Sequence, residues 1–179
     1  MRYHNITKAD MLNGEGLRVV LWVSGCSHQC PGCQNAITWD PDDGVLFDDA
    51  ARREIFAELE HDWCSGLTLS GGDPLFLGNR EEISKLVCEV RNKFPNKSIW
   101  LYTGYTWDEL MKQRKNDKDL DCILRHIDVL LDGKFVLKLA SVKMHYVGSS
   151  NQEIIDVKRS LEENKKILYI DNNKVLEGE

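Results

Sequence analysis

Apolar residues follow two rhythms along this chain. Four short, nearly continuous runs, residues 17–24, 66–70, 98–103 and 128–131, read as buried strands. Between them the spacing turns helical. Ile55, Phe56, Leu59 and Trp63 recur after Asp48 and Asp49, two carboxylates suited to cap or to charge a helix start. Ile83, Leu86, Val87, Val90 and Phe94 repeat the pattern more clearly. A weaker helical region covers residues 107–127, and the charged stretch 112–121 inside it reads as a solvated loop or helix end.

Strands alternating with helices predict right-handed β-α-β units and a mainly parallel sheet, because parallel neighbours need a crossover and the crossover is usually a helix. The expected class is α/β, built as a partial, open β/α barrel. A full eightfold barrel takes about 250 residues, and this chain has 179. Residues 166–170 and 174–176, flanking Asp171-Asn172-Asn173, predict a small C-terminal hairpin over 166–176, since Asn tolerates the positive φ of tight turns. No repeat or linker divides residues 1–179, so a single domain is expected.

Charge narrows the function classes. The 29 acidic against 23 basic residues leave a formal charge of -6, which opposes phosphate-rich partners and argues against nucleic-acid binding. No stretch has the apolar core of a signal peptide or approaches the roughly 20 apolar residues of a membrane span, so a cytoplasmic protein is expected. In that reducing compartment the six cysteines stay free for metal binding or catalysis.

Three of them fall in Gly25-Cys26-Ser27-His28-Gln29-Cys30-Pro31-Gly32-Cys33-Gln34-Asn35, directly after the first predicted strand. Thiolates suit both iron–sulfur clusters and zinc. A structural zinc site wants four ligands, commonly as two pairs, yet Cys64, Cys88 and Cys122 stand isolated, and His28 lies awkwardly between two ligands. An electron-transfer cluster with a distant fourth cysteine and incidental core cysteines are the other readings, the last at odds with a loop so rich in Gly, Pro, Ser and Gln. A cubane cluster on Cys26, Cys30 and Cys33 leaves one iron open to another ligand.

The other strand ends are also unusual. Ser70-Gly71-Gly72-Asp73-Pro74 combines two glycines, which let the backbone approach a ligand with unobstructed amides, and a carboxylate able to accept from an ammonium group. A plain Gly-Pro turn is the alternative. Thr103-Gly104-Tyr105-Thr106 and Asp132-Gly133-Lys134-Phe135 follow the remaining runs. Ligands of parallel sheets sit at the carboxyl ends of strands, so all four loops should face one site.

Together these motifs resemble the radical S-adenosylmethionine enzymes, which carry Cys-x3-Cys-x2-Cys after the first strand and Gly-Gly-Glu or a variant after the second. Asp73 here replaces Glu, and Gly32 stands where many members have an aromatic residue. Cys-Pro-Gly-Cys, Leu-Ser-Gly-Gly-Asp-Pro-Leu, Tyr-Thr-Gly-Tyr, Asp-Gly-Lys-Phe and Gly-Ser-Ser-Asn-Gln are similar to the activating proteins of anaerobic, class III ribonucleotide reductase, from Asn13-Gly14 to Gln152. The resemblance implies a radical-SAM type fold and a [4Fe-4S] cluster on Cys26, Cys30 and Cys33. It also implies S-adenosylmethionine bound through Gly71, Gly72 and Asp73 at its methionyl group, with Gly32, Cys33 and Gln34 beside the cluster and Thr103 as a further contact.

The implied partners are the large subunit of the anaerobic reductase, which receives a glycyl radical, and a reducing electron donor such as flavodoxin or ferredoxin. No side chain beyond cluster and cofactor is expected to act catalytically. Two rivals share parts of this reading: an activase of another glycyl-radical enzyme such as pyruvate formate-lyase, and a noncatalytic iron–sulfur electron carrier. Members of the subgroup often carry a basic residue before Gly148, where this chain has Val147. Residues 148–152 then read either as a polar turn entering the last helix or as a ligand or partner contact. His4, His28 and His145 have no triad partners and read as surface or partner contacts. Tyr102, Tyr105 and Trp107 read as core or pocket walls, and Cys64, Cys88 and Cys122 as free thiols.

Overall fold

The computed structural model describes residues 1–172. In chain order the elements are β1 (Arg2–Asp10), β2 (Leu17–Val23), β3 (Val45–Leu46), α1 (Asp49–Leu59), β4 (Cys64–Gly71), α2 (Arg80–Lys93), β5 (Ser98–Tyr102), α3 (Trp107–Gln113), α4 (Lys118–His126), β6 (Val129–Asp132), β7 (Glu153–Asp156), α5 (Val157–Glu162) and β8 (Leu168–Ile170). All four predicted strands are present as β2, β4, β5 and β6, within two residues at either end. They lie side by side and parallel, joined by helical crossovers.

The sheet as a whole is mixed rather than mainly parallel. Its order is β3-β1-β2-β4-β5-β6-β7-β8. β1 and β3 add antiparallel strands on one side, and β7 and β8 do the same on the other. Among the described residues the sheet is open, with β3 and β8 as its edges. The α/β class and the parallel centre therefore hold, and the antiparallel flanks correct the expectation of a mainly parallel sheet. Of the predicted C-terminal hairpin, 168–170 forms β8, which pairs with β7, while 174–176 lies outside the described residues.

The helix starts follow local chemistry. Asp48 accepts from the amides of Ala50 and Ala51, Asp117 from those of Asp119 and Leu120, and Thr106 forms a capping box with Glu109. The charged stretch 112–121 accordingly resolves into the end of α3, a short link and the capped start of α4. Trp63 does not continue α1. The helix ends at Leu59, and Trp63 stacks on His61 with ring centroids 5.1 Å apart.

Register lines up Leu21, Leu69, Leu101 and Leu130 across the parallel strands, all fully buried. Ile55 and Leu59 of α1, Leu86 and Val90 of α2 and Ile123 and Leu124 of α4 join them in the main core. The opposite parity, Trp100, Val129 and Leu131, forms a second core with Met144, Val147 and Ile154. Val147 is thus a packing residue, which accounts for an apolar side chain there. At the amino ends of the strands Arg18 is fully buried, donating to Thr68 Oγ1, Ser98 Oγ and the carbonyls of Glu15, Leu67 and Ser98. Burial pushes this guanidinium down to about 10.

Candidate metal centre

β2 ends at Val23 and the chain passes directly into the cysteine loop, whose base is fixed by backbone bonds. Gly25 N donates to Thr38 O at 2.8 Å and Cys26 N to Trp39 O at 3.0 Å, while Cys33 N turns back onto Cys30 O at 3.0 Å. Cys26, Cys30 and Cys33 are all free thiols and half-buried. Burial raises the Cys26 thiol, with the Asp73 carboxylate adding to the effect and the amides of His28 and Gln29 opposing it. Burial likewise raises Cys30, opposed by the Phe135 amide and the Lys134 ammonium.

The other three loops meet this one. Gly72 N donates to Val23 O and Asp73 N to Gly25 O, each at 2.8 Å. A Cβ on Gly71 would stand 2.7 Å from Val23 N, and one on Gly72 2.6 Å from Gly25 O. The two glycines therefore serve the close approach of two backbones. The Gly72 amide, expected to be unobstructed, is engaged with the base of the cysteine loop, as is the amide of Asp73.

Asp73 is buried and holds the assembly together. Its Oδ1 accepts from Leu75 N at 2.8 Å, and its Oδ2 accepts from Thr103 Oγ1 at 3.0 Å and Gly104 N at 3.1 Å. The same Oδ2 lies 2.9 Å from His28 Nε2. That contact is close in distance but lacks hydrogen-bond direction, so it is an electrostatic neighbour rather than an aligned bond.

His28 was expected at the surface, and the structure corrects this. Its side chain is only 7% exposed. The ring stands edge-on to Tyr105 with centroids 4.6 Å apart, and a Cβ on Gly104 would fall 2.3 Å from its Cδ2. Glycine at 104 makes room for the histidine, a pairing of distant positions that no spacing in the sequence announces.

The proposed contact residues divide by exposure. Gly32 and Gln34 are exposed beside half-buried Cys33, Gly72 is half-buried, and Gly71, Asp73 and Thr103 are buried. Gly32 has φ +77°, and Leu137 lies 3.1 Å from where its Cβ would stand. Residues 148–152 are a structural turn that enters β7 rather than a helix. Gln152 Oε1 accepts from the amides of Gly148 and Ser149, and Gln152 Nε2 and Asn151 Nδ2 donate to the carbonyls of Gly133 and Lys134. Asp132 is equally internal, accepting from Trp107 N and Glu153 N, and its carboxyl is raised by burial.

The donor set fits a multi-iron cluster better than a single ion. Cys26, Cys30 and Cys33 are not among the groups whose ligand atoms crowd within 4.8 Å of one another. His28, the one side chain placed to complete a Cys3His set, sits against Asp73. A cavity of about 930 Å³ lies elsewhere, between α3, α4 and α5. Of its lining cations, Arg114 and Arg125 pair with Asp121, and Lys166 pairs with Glu153.

A family model described as a 4Fe-4S single cluster domain matches residues 12–155. Among curated proteins, the anaerobic ribonucleoside-triphosphate reductase-activating protein of Enterobacteria phage T4 is 44% identical over 154 residues, covering 86% of this chain and 93% of that protein. Proteins of the same name from Haemophilus influenzae and Escherichia coli (strain K12) are 44% and 42% identical over 156 residues, each covering 86% of this chain and 97% of the relative.

Proposed function

Because the chain belongs to the anaerobic ribonucleoside-triphosphate reductase-activating proteins, with their 4Fe-4S single cluster domain, we propose that it is a radical S-adenosylmethionine activase. Its protein substrate is the large subunit of the anaerobic reductase, and its electrons come from a small donor such as flavodoxin or ferredoxin. The observation that supports this reading most is the loop of three half-buried free thiols, Cys26, Cys30 and Cys33.

Cys26, Cys30 and Cys33 would hold a [4Fe-4S] cluster. Gly71, Gly72 and Asp73 would hold the methionyl group of S-adenosylmethionine, with Gly32, Cys33 and Gln34 beside the cluster and Thr103 behind Asp73. Bound together, these groups supply one-electron cleavage of S-adenosylmethionine and, through it, a glycyl radical on the reductase.

The chain's own residues bind, orient and exclude water. Asp73 ties the loop after β4 to the loop after β5 and sits against the histidine of the cysteine loop, so the cofactor-facing backbone is fixed before anything binds. Ile37, Leu77, Leu137 and Leu139 are exposed on loops that follow β2, β4 and β6. Apolar side chains left uncovered around a site suit a protein substrate that shields it from water. Free thiols fit a reducing, cytoplasmic setting; among the described residues no helix is long and apolar enough to cross a membrane.

The test is anaerobic reconstitution with iron and sulfide, followed by reductant, S-adenosylmethionine and the candidate reductase. Methionine and 5′-deoxyadenosine should be released, and a glycyl-radical doublet should appear by electron paramagnetic resonance. A full, reducible cluster that releases neither product with the reductase present would overturn the enzyme reading. A doublet on pyruvate formate-lyase instead would move the partner.

A further inference from the structure

Three side chains outside the site converge in the seam between α2 and α4. α2 supplies Cys88, and α4 supplies Cys122 and, one turn later on the same face, His126. Cys88 Sγ lies 2.9 Å from Cys122 Sγ. His126 Nδ1 is 3.6 Å from Cys122 Sγ, and both ring nitrogens are 3.8 Å from Cys88 Sγ. All three residues are half-buried, and among the described residues they alone bring three such ligand atoms within 4.8 Å of one another.

We propose that Cys88, Cys122 and His126 bind a single thiophilic divalent cation, zinc first among them, at a site independent of the cluster. Two thiolates and an imidazole are a zinc donor set. With the metal about 2.3 Å from each sulfur and about 2.0 Å from nitrogen, tetrahedral angles put sulfur and nitrogen about 3.5 Å apart and the sulfurs about 3.8 Å apart. The 3.8 Å between Cys88 Sγ and His126 Nε2 is already close to the first value. The sulfurs need only open, which half-exposed side chains on two helices can do.

The histidine is also oriented as a ligand. Its Nδ1 lies 2.7 Å from the carbonyl oxygen of Cys122. A carbonyl only accepts, so Nδ1 carries the proton and Nε2 keeps its lone pair, the arrangement that fixes metal-bound imidazoles. Two thiolates and a neutral ring cancel a divalent charge, which suits a half-buried seam. Binding displaces two thiol protons to solvent and makes two metal–sulfur bonds, with no change of oxidation state.

The flanking carboxylates are already paired, Glu89 with Arg52 at 3.0 Å and Asp128 with Arg91 at 2.6 Å. The fourth coordination position is therefore left to water or a small exogenous ligand. A disulfide between the two cysteines would need an oxidant to take two electrons and would leave His126 without a part.

The experiment uses the full, cluster-loaded chain under anaerobic conditions, titrated with zinc against a chromophoric chelator and, separately, with cobalt as the optical probe. One equivalent of zinc should bind without loss of iron, and cobalt should show thiolate charge-transfer and tetrahedral ligand-field bands. Cys88→Ser, Cys122→Ser and His126→Gln should each weaken binding by more than about 100-fold, the upper end of what losing an outer-shell partner alone does to metal sites. Cys64→Ser should not. Zinc should raise the melting midpoint of the parent but not of His126→Gln, a change mild enough to keep the fold if a cysteine variant loses it.

No zinc retained against the chelator would overturn the proposal. So would binding that survives Cys122→Ser, or parent protein two hydrogens lighter by mass because a disulfide has formed.

Discussion

Two groups of thiols each have a histidine beside them, and the two histidines are used in opposite ways. In the loop after β2, His28 sits in a pocket made by Asp73, Gly104 and Tyr105. In the α2–α4 seam, His126 keeps both ring nitrogens within 3.8 Å of Cys88 Sγ. A loop can spread three cysteines around a large inorganic group because each backbone turn places one sulfur separately. Two packed helices can only bring together side chains one turn apart or directly across the seam, which suits one ion. The number of metal atoms a site accepts is thus set by the backbone that carries the ligands as much as by the ligands themselves.

The contrast breaks most visibly with cysteine replacements. Cys30→Ala should reduce cluster iron and 5′-deoxyadenosine release to the detection floor. Cys88→Ser should change either by no more than about twofold, the size of an ordinary substitution away from the site. Equal losses in both variants, measured by iron content and product assay, would erase the distinction between the two groups.

His28→Ala should come next, removing a side chain that positions the loop without touching the cluster. Iron retention under chelator challenge should fall by about 10- to 100-fold, as for other supporting residues of metal sites, with the optical spectrum of any remaining cluster unchanged. Gly104→Ala pushes on the same ring from the other side. It should cost about 1–3 kcal/mol in denaturant unfolding, as overpacking does. Much of that penalty should vanish in a His28→Ala background, because the clash partner is gone.

The smallest effect is alkaline. With its thiol pushed up from the ordinary 9.0 to about 12, folded Cys88 stays protonated where the unfolded thiol has ionised. The unfolded chain then binds fewer protons, so this contribution is intact below about 9 and is lost as pH rises through about 12. In metal-free protein, Cys88→Ser should flatten the alkaline fall in unfolding free energy slightly.

Much of this was readable from the residues. The central strands announced themselves as apolar runs, and the cysteine loop by three thiols in eight positions, because both depend on neighbours in sequence. β1 and β7 were not, since β1 is largely half-exposed, β7 offers only Ile154 and Ile155 between two carboxylates, and their pairing is set by β2 and β6. His28 with Gly104, and Cys88 with Cys122 and His126, were invisible for the same reason: each pairing joins residues that only the crossovers bring together. The Gly-Gly-Asp loop was found, but its amides are engaged with the cysteine loop, a detail fixed by register between β2 and β4.

The outermost strands carry one more consequence. Among the described residues the sheet ends in β3, two residues long, and β8, three residues long. Edge-to-edge self-association needs a longer row of unpaired backbone donors and acceptors than either offers. A chain with free thiols and exposed apolar side chains on its loops is thereby protected against templated aggregation at both margins of its described sheet.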